Sequence, residues 1–125
     1  MKDRWQYYNP NPKELVTGDC TIRALCKALD KDWDDVYIMT SAIGQIMKEM
    51  PSANRVWGAV LKDNGFGRRD ALDALPPKFT VKDFCDAFPD GVYVLGLDGH
   101  VVTVIDGIYY DTWDSGNMRI LYYWH

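Results

Sequence analysis

Hydrophobic residues recur along this chain at two periods, and the change falls near residue 91. Ile22, Leu25, Cys26 and Leu29 follow the i, i+3, i+4, i+7 spacing of an amphipathic helix, which predicts one over about residues 20–29. Asp19 stands where an N-cap is needed. A second helix is expected at about 33–49, with Asp32 as its cap and Pro51 as its stop. Its apolar stripe is read as Trp33, Val36, Tyr37, Ile43 and Met47. Ser52 is expected to cap a third helix carrying Val56, Trp57, Val60 and Leu61, closed by a left-handed Asn64-Gly65. Residues 66–79 read as a loop. Thr80 then opens a short fourth helix with Val81, Phe84, Cys85 and Phe88 on one face, broken at Asp90-Gly91.

From Val92 onward the pattern is that of strands. Four are expected, at Val92–Leu97, His100–Ile105, Ile108–Trp113 and Met118–Trp124. Asp106-Gly107 is a two-residue hairpin signal, because both positions tolerate positive φ. Helices first and an antiparallel meander last define an α+β class. The chain is read as one domain over 1–125, with an N-terminal arm at 1–18, a helical part at 19–90 and an antiparallel sheet at 91–125. Asn9-Pro10 and Asn11-Pro12 hold the arm extended.

Composition narrows the partners. Lys and Arg number 14 against 18 Asp and Glu, a net charge of −4, which argues against nucleic-acid binding through bulk positive charge. No apolar run approaches the ~20 residues of a membrane span. The first residues lack the apolar core of a signal peptide. The expected setting is cytoplasmic, with no membrane and no nucleic acid as partner. Three cysteines without Cys-x-x-Cys spacing make neither a disulfide framework nor a metal site, and no cofactor is expected. Arg55, Arg68 and Arg69 are read as solvated, and the aromatic residues of 92–124 as cover for the sheet.

The candidate chemistry lies in a thiol and an imidazole. Cys26 and Cys85 fall on apolar stripes and read as core thiols. Cys20 stands in the first turn of its helix, where free N–H groups and the helix dipole favour a thiolate. His125 is the last residue, so His100 is the imidazole available as its base. With Asp106-Gly107 as the turn, Ile105 faces Ile108 and Val102 faces Asp111. Asp111 therefore shares a side of the sheet with His100, where it is expected to accept from the imidazole Nδ1–H. Asp114 falls on the opposite side.

These residues resemble those of the papain-like cysteine peptidases. Gly18-Asp19-Cys20 is similar to the Gly-x-Cys before that family's central helix, and His100-Val101-Val102 to its His-Ala-Val strand. Asp111-Thr112-Trp113 resembles its Asn-Ser-Trp, and Gly116-Asn117-Met118-Arg119-Ile120 its Gly-Tyr-x-Arg-Ile. The small bacteriocin-processing, C39-like branch is nearest in size and in having an Asp as third member. The resemblance implies Cys20 as nucleophile, His100 as general base and acid, and Asp111 as the orienting residue. Trp113 would shield the His100–Asp111 bond, with Asp114 in support. One position departs: Glu14 stands where the family has the Gln that donates to the oxyanion. Gln6, Asn9 and Asn11 are the arm's alternative donors, Asn11 being preferred.

The activity implied is a cysteine-dependent hydrolase, a peptidase, isopeptidase or amidase, acting on a peptide or protein through a thioester. The rival expectation is a non-catalytic protein-binding module of phage or mobile-element origin on the same fold.

Overall fold

A computed structural model describes residues 3–125 of the chain. Five helices and a six-stranded mixed sheet make an α+β fold. The helices are α1 (Cys20–Leu29), α2 (Trp33–Met47), α3 (Asn54–Asp63), α4 (Ala71–Ala74) and α5 (Val81–Ala87). The strands are β1 (Trp5–Tyr7), β2 (Arg68–Asp70), β3 (Val92–Leu97), β4 (His100–Ile105), β5 (Ile108–Asp111) and β6 (Ile120–Trp124).

Local chemistry explains most boundaries. Asp32 accepts from the Asp35 N–H at the start of α2, and Lys48 in the left-handed conformation ends it before Pro51 is reached. Gly65, not Asn64, takes the left-handed position after α3, and no side chain caps that helix's start. Asp106 and Gly107 both have positive φ, as the tight β4–β5 hairpin requires. The expected register holds: Ile105 pairs with Ile108, Val104 with Tyr109 and Thr103 with Tyr110.

Several expectations are corrected. The strands do not form a simple meander, because the sheet order is β1-β5-β4-β3-β6-β2. The free edge of β5 is taken by the arm, whose β1 runs parallel to it with Trp5 opposite Tyr109 and Tyr7 opposite Asp111. The last long strand therefore crosses to the other side and pairs with β3. The stretch read as loop holds β2, paired with β6, and the short α4. On α2 the buried face is Val36, Thr40 and Gly44, while Tyr37 from the expected stripe points outward.

Both faces of the sheet are covered. On one side Val94, Val101 and Trp124 pack with Leu25, Val36, Trp57 and Leu61 of α1, α2 and α3. On the other, Tyr93, Leu95, Val102, Val104 and Tyr123 pack with Val81, Phe84 and Cys85 of α5. This alternation along β3 and β4 is what a sheet buried on both sides demands. α1 lies across β4, and Thr103 Oγ1 ties the two by donating to the Ala24 carbonyl at 2.7 Å.

Candidate active site

The start of α1 and the start of β4 meet at one end of the sheet. Asp19 occupies the N-cap position of α1, yet its side chain makes no capping bond. Its Oδ1 accepts from Arg23 Nη1 at 2.9 Å and its Oδ2 from Trp33 Nε1 at 2.9 Å. The first-turn N–H groups, including those of Cys20 and Thr21, are thus left free to donate.

Cys20, His100 and Val101 line the same cleft, and the imidazole and the Val101 backbone both act on the Cys20 sulfur to favour its thiolate. His100 Nε2 lies 2.7 Å from Asp111 Oδ2, leaving Nδ1 for the sulfur. The expected contact between His100 and Asp111 is therefore present, but through Nε2 and not Nδ1. The fold thus brings together Cys20 from α1, His100 from β4 and Asp111 from β5, with the first two on the cleft and the last two in contact.

Asp111 is fully buried and held from several directions. Arg23 Nη2 donates to its Oδ1 at 3.0 Å, the Thr112 N–H to Oδ1 at 2.8 Å, and Ser115 Oγ to Oδ2 at 2.6 Å. Its carbonyl accepts from Trp5 Nε1 at 3.2 Å and from the Tyr8 N–H at 3.0 Å. The arm therefore clamps the backbone of Asp111, and Arg23 clamps its carboxylate.

These contacts decide the charges. Burial opposes ionisation of Asp111, but hydrogen bonds from His100 and Ser115 and the charges of His100 and Arg23 hold its carboxyl below the usual range. Burial also works against a charged His100. The bonds to Asp111 and Cys20 outweigh it and raise the imidazole to about 9. Burial would raise the Cys20 thiol, yet the bond and charge of His100, the Val101 backbone and Arg23 bring it below the ordinary value. Cys26 and Cys85 lack such partners, and burial pushes both up to about 12.

A cleft of about 420 Å³ opens beside the thiol. Gly18, Cys20, Thr21, Ser52 and Asn54 line one wall, and Leu97 to Val101 with Tyr122 the other. The Tyr122 ring packs against Gly96, where a Cβ would overlap it, so glycine is required there. Arg68 stacks on the same ring at 4.1 Å.

The remaining expected residues fall as follows. The Trp113 ring lies 4.8 Å from that of His100, tilted by 44°, and covers the imidazole. Asp114 braces its own turn, accepting from the Tyr109 hydroxyl and the Gly116 N–H, and makes no bond to His100. Asn11 is buried in the arm, where its Oδ1 accepts from the Lys13 N–H at 2.9 Å. It is not among the residues lining the cleft. Arg23 and Ser115 went unread in the sequence. The i, i+4 spacing of Asp19 and Arg23 was the available signal for the first.

Among the described residues, no group of His, Cys, Asp and Glu is placed to hold a metal ion, and no helix is long and apolar enough to cross a membrane. No family model, curated protein or solved structure matches the chain.

Proposed function

We propose that the protein is a papain-like, cysteine-dependent hydrolase acting on a peptide, isopeptide or related amide. The observation that carries this reading is the His100–Asp111 pair placed with Cys20 on one cleft, at an open helix start. In the resting state Cys20 is a thiolate beside a protonated His100. The sulfur attacks the substrate carbonyl, and the developing oxyanion takes hydrogen bonds from free first-turn N–H groups such as that of Cys20. The C–N bond breaks as the imidazolium gives its proton to the leaving amine, which leaves a thioester on Cys20. His100, now neutral, takes a proton from water as the water attacks the thioester. The acid departs and the thiolate–imidazolium pair is restored.

Asp111 keeps the imidazole oriented through Nε2. Arg23, shared with Asp19, offsets part of the Asp111 charge. Gln6, Asn9 and Asn11, the arm's candidate donors, do not line the cleft, and Glu14 stands where the family has its oxyanion-donating Gln. That feature favours the second reading, a binding module with an idle site, and one experiment separates the two. The full chain is mixed with p-nitrophenyl acetate and followed by intact mass and nitrophenol release. A transient acetyl adduct on Cys20, with turnover abolished in Cys20→Ala, is the expected result. Equal ester hydrolysis by wild type and Cys20→Ala, with no adduct, would leave the binding module.

A further inference from the structure

The cleft beside Cys20 is not closed at its β6 end. Leu121 forms part of its wall and also part of the wall of a second groove, of about 440 Å³. The shared position has a backbone cause. Gly96 pairs with Tyr122 and Leu97 with Ile120, so Leu121 is the unpaired extra residue of a bulge. A bulge re-aims a side chain, and here Leu121 is left 39% exposed between the two depressions.

The second groove has its own chemistry. Leu75 and Phe79 line it, and Leu72 stands at it 97% exposed. Lys78 and Arg119 are its charged residues; no acidic residue lines it, and among the described residues neither cation makes an ion pair. The catalytic cleft differs, since Asp98 lies on its wall. Spacing links the two. His100 pairs with Leu97, and Leu97 pairs with Ile120. Two strand spacings of about 4.8 Å put the groove roughly 10 Å from the imidazole, and an extended peptide covers that in about three residues.

We propose that cleft and groove are one channel for an extended polypeptide substrate. A large apolar side chain, about three residues from the scissile carbonyl, packs on Leu121. An acidic side chain next to it meets Arg119 and Lys78. This assignment rests on the hydrolase reading, and the apolar length and positive charge of the groove favour a polypeptide over a small amide.

The test uses the full chain and a proteome-derived peptide library, with cleaved ends sequenced by mass spectrometry. Iodoacetamide labelling of the three cysteines is measured in parallel. Enrichment of Leu, Ile or Phe about three residues from the cut, beside Asp or Glu, is expected. Leu121→Asp should lower cleavage of the preferred peptides about 10–200-fold, the usual worth of an apolar pocket contact. Arg119→Glu should remove the acidic preference alone. Iodoacetamide should still label Cys20 rapidly in both variants, showing an intact thiol site. Cleavage without either preference, or no peptide cleaved by a protein with a rapidly labelled Cys20, overturns the channel. A wild-type Cys20 labelled no faster than Cys26 or Cys85 overturns instead the hydrolase reading beneath it.

Discussion

Helices α1 and α5 both follow a residue able to cap a helix; α5 carries one cysteine, and α1 carries two, with Cys20 at its start. At α5 the cap is closed: Thr80 accepts from the Asp83 N–H at 3.2 Å, and Asp83 accepts from the Thr80 N–H at 3.0 Å. Cys85 is sealed in the core below it, with its thiol pushed up to about 12 by burial. At α1 the cap is open, because Asp19 turns to Arg23 and Trp33. Cys20 stays partly accessible, with His100 as partner and its thiol lowered. A helix start whose N–H groups are satisfied locally serves stability. One whose capping side chain is used elsewhere keeps donors for a reacting group.

That contrast is broken most severely at Arg23. Its side chain is the cation shared by Asp19 and Asp111, and all three are buried. Removing one partner of a buried ion pair costs about 3–5 kcal/mol, since a carboxylate is left without its counter-charge. Arg23→Ala should lose stability in that range by urea denaturation. A loss under about 1 kcal/mol would mean that Asp19 and Asp111 are held by other contacts.

Next in size is Asp111→Ala, which should lower turnover by roughly one to four orders of magnitude. Asp111→Asn should be milder, because the amide oxygen still accepts from the imidazole Nε2–H. Asp114→Ala should change turnover little, as Asp114 only braces its turn. The reverse ranking of Asp111 and Asp114 in ester turnover would show that the wrong carboxylate has been assigned.

The charge on His100 adds a smaller, pH-dependent effect. Its folded pKa, about 9, lies above the ordinary 6.5. Between these values the folded protein keeps a proton that the unfolded chain has released. The stabilisation is therefore full below about 6.5 and is lost as the pH rises through about 9. The lowered Cys20 thiol works in the opposite direction over the same range, so the effect is read in Cys20→Ala, where urea midpoints should fall as the pH rises above about 6.5 and fall less when Asp111→Asn is added. A flat profile in Cys20→Ala would mean that the imidazole is not charged in the fold. The smallest effect belongs to α5. Thr80→Ala should cost about 1 kcal/mol, the usual worth of an N-cap, and leave Cys20 labelling unchanged.

How much of this was legible depended on the range of the interactions. The long helices showed in periodicity, and α1 fell at its expected bounds because Ile22, Leu25, Cys26 and Leu29 mark its face. The β4–β5 register followed from the Asp106-Gly107 turn, and with it the approach of His100 to Asp111. Three-residue strands such as β1 and β2 are too short to show alternation, and they exist because an edge was free to pair. The place of β6 next to β3 is a tertiary choice with no local signal. Arg23 looks like any solvated helix arginine until Asp111, 88 positions later, folds against it. The ring nitrogen facing Asp111 depends on the approach of Cys20, which strand register alone does not contain.

The central claim is that Cys20 alone among the thiols is a stabilised thiolate. It is tested most directly by iodoacetamide labelling of the folded full chain across pH 5–9, with each cysteine quantified by peptide mass spectrometry. A helix-start thiol paired with a charged His can titrate roughly anywhere from 3.5 to 7.5, against about 8.5 for a free thiol. Cys20 should label at pH 6 far faster than Cys26 or Cys85, and His100→Ala should slow it towards a free-thiol profile. Equal rates for the three cysteines, or a Cys20 rate that rises only near pH 8.5 and ignores His100→Ala, would contradict the account.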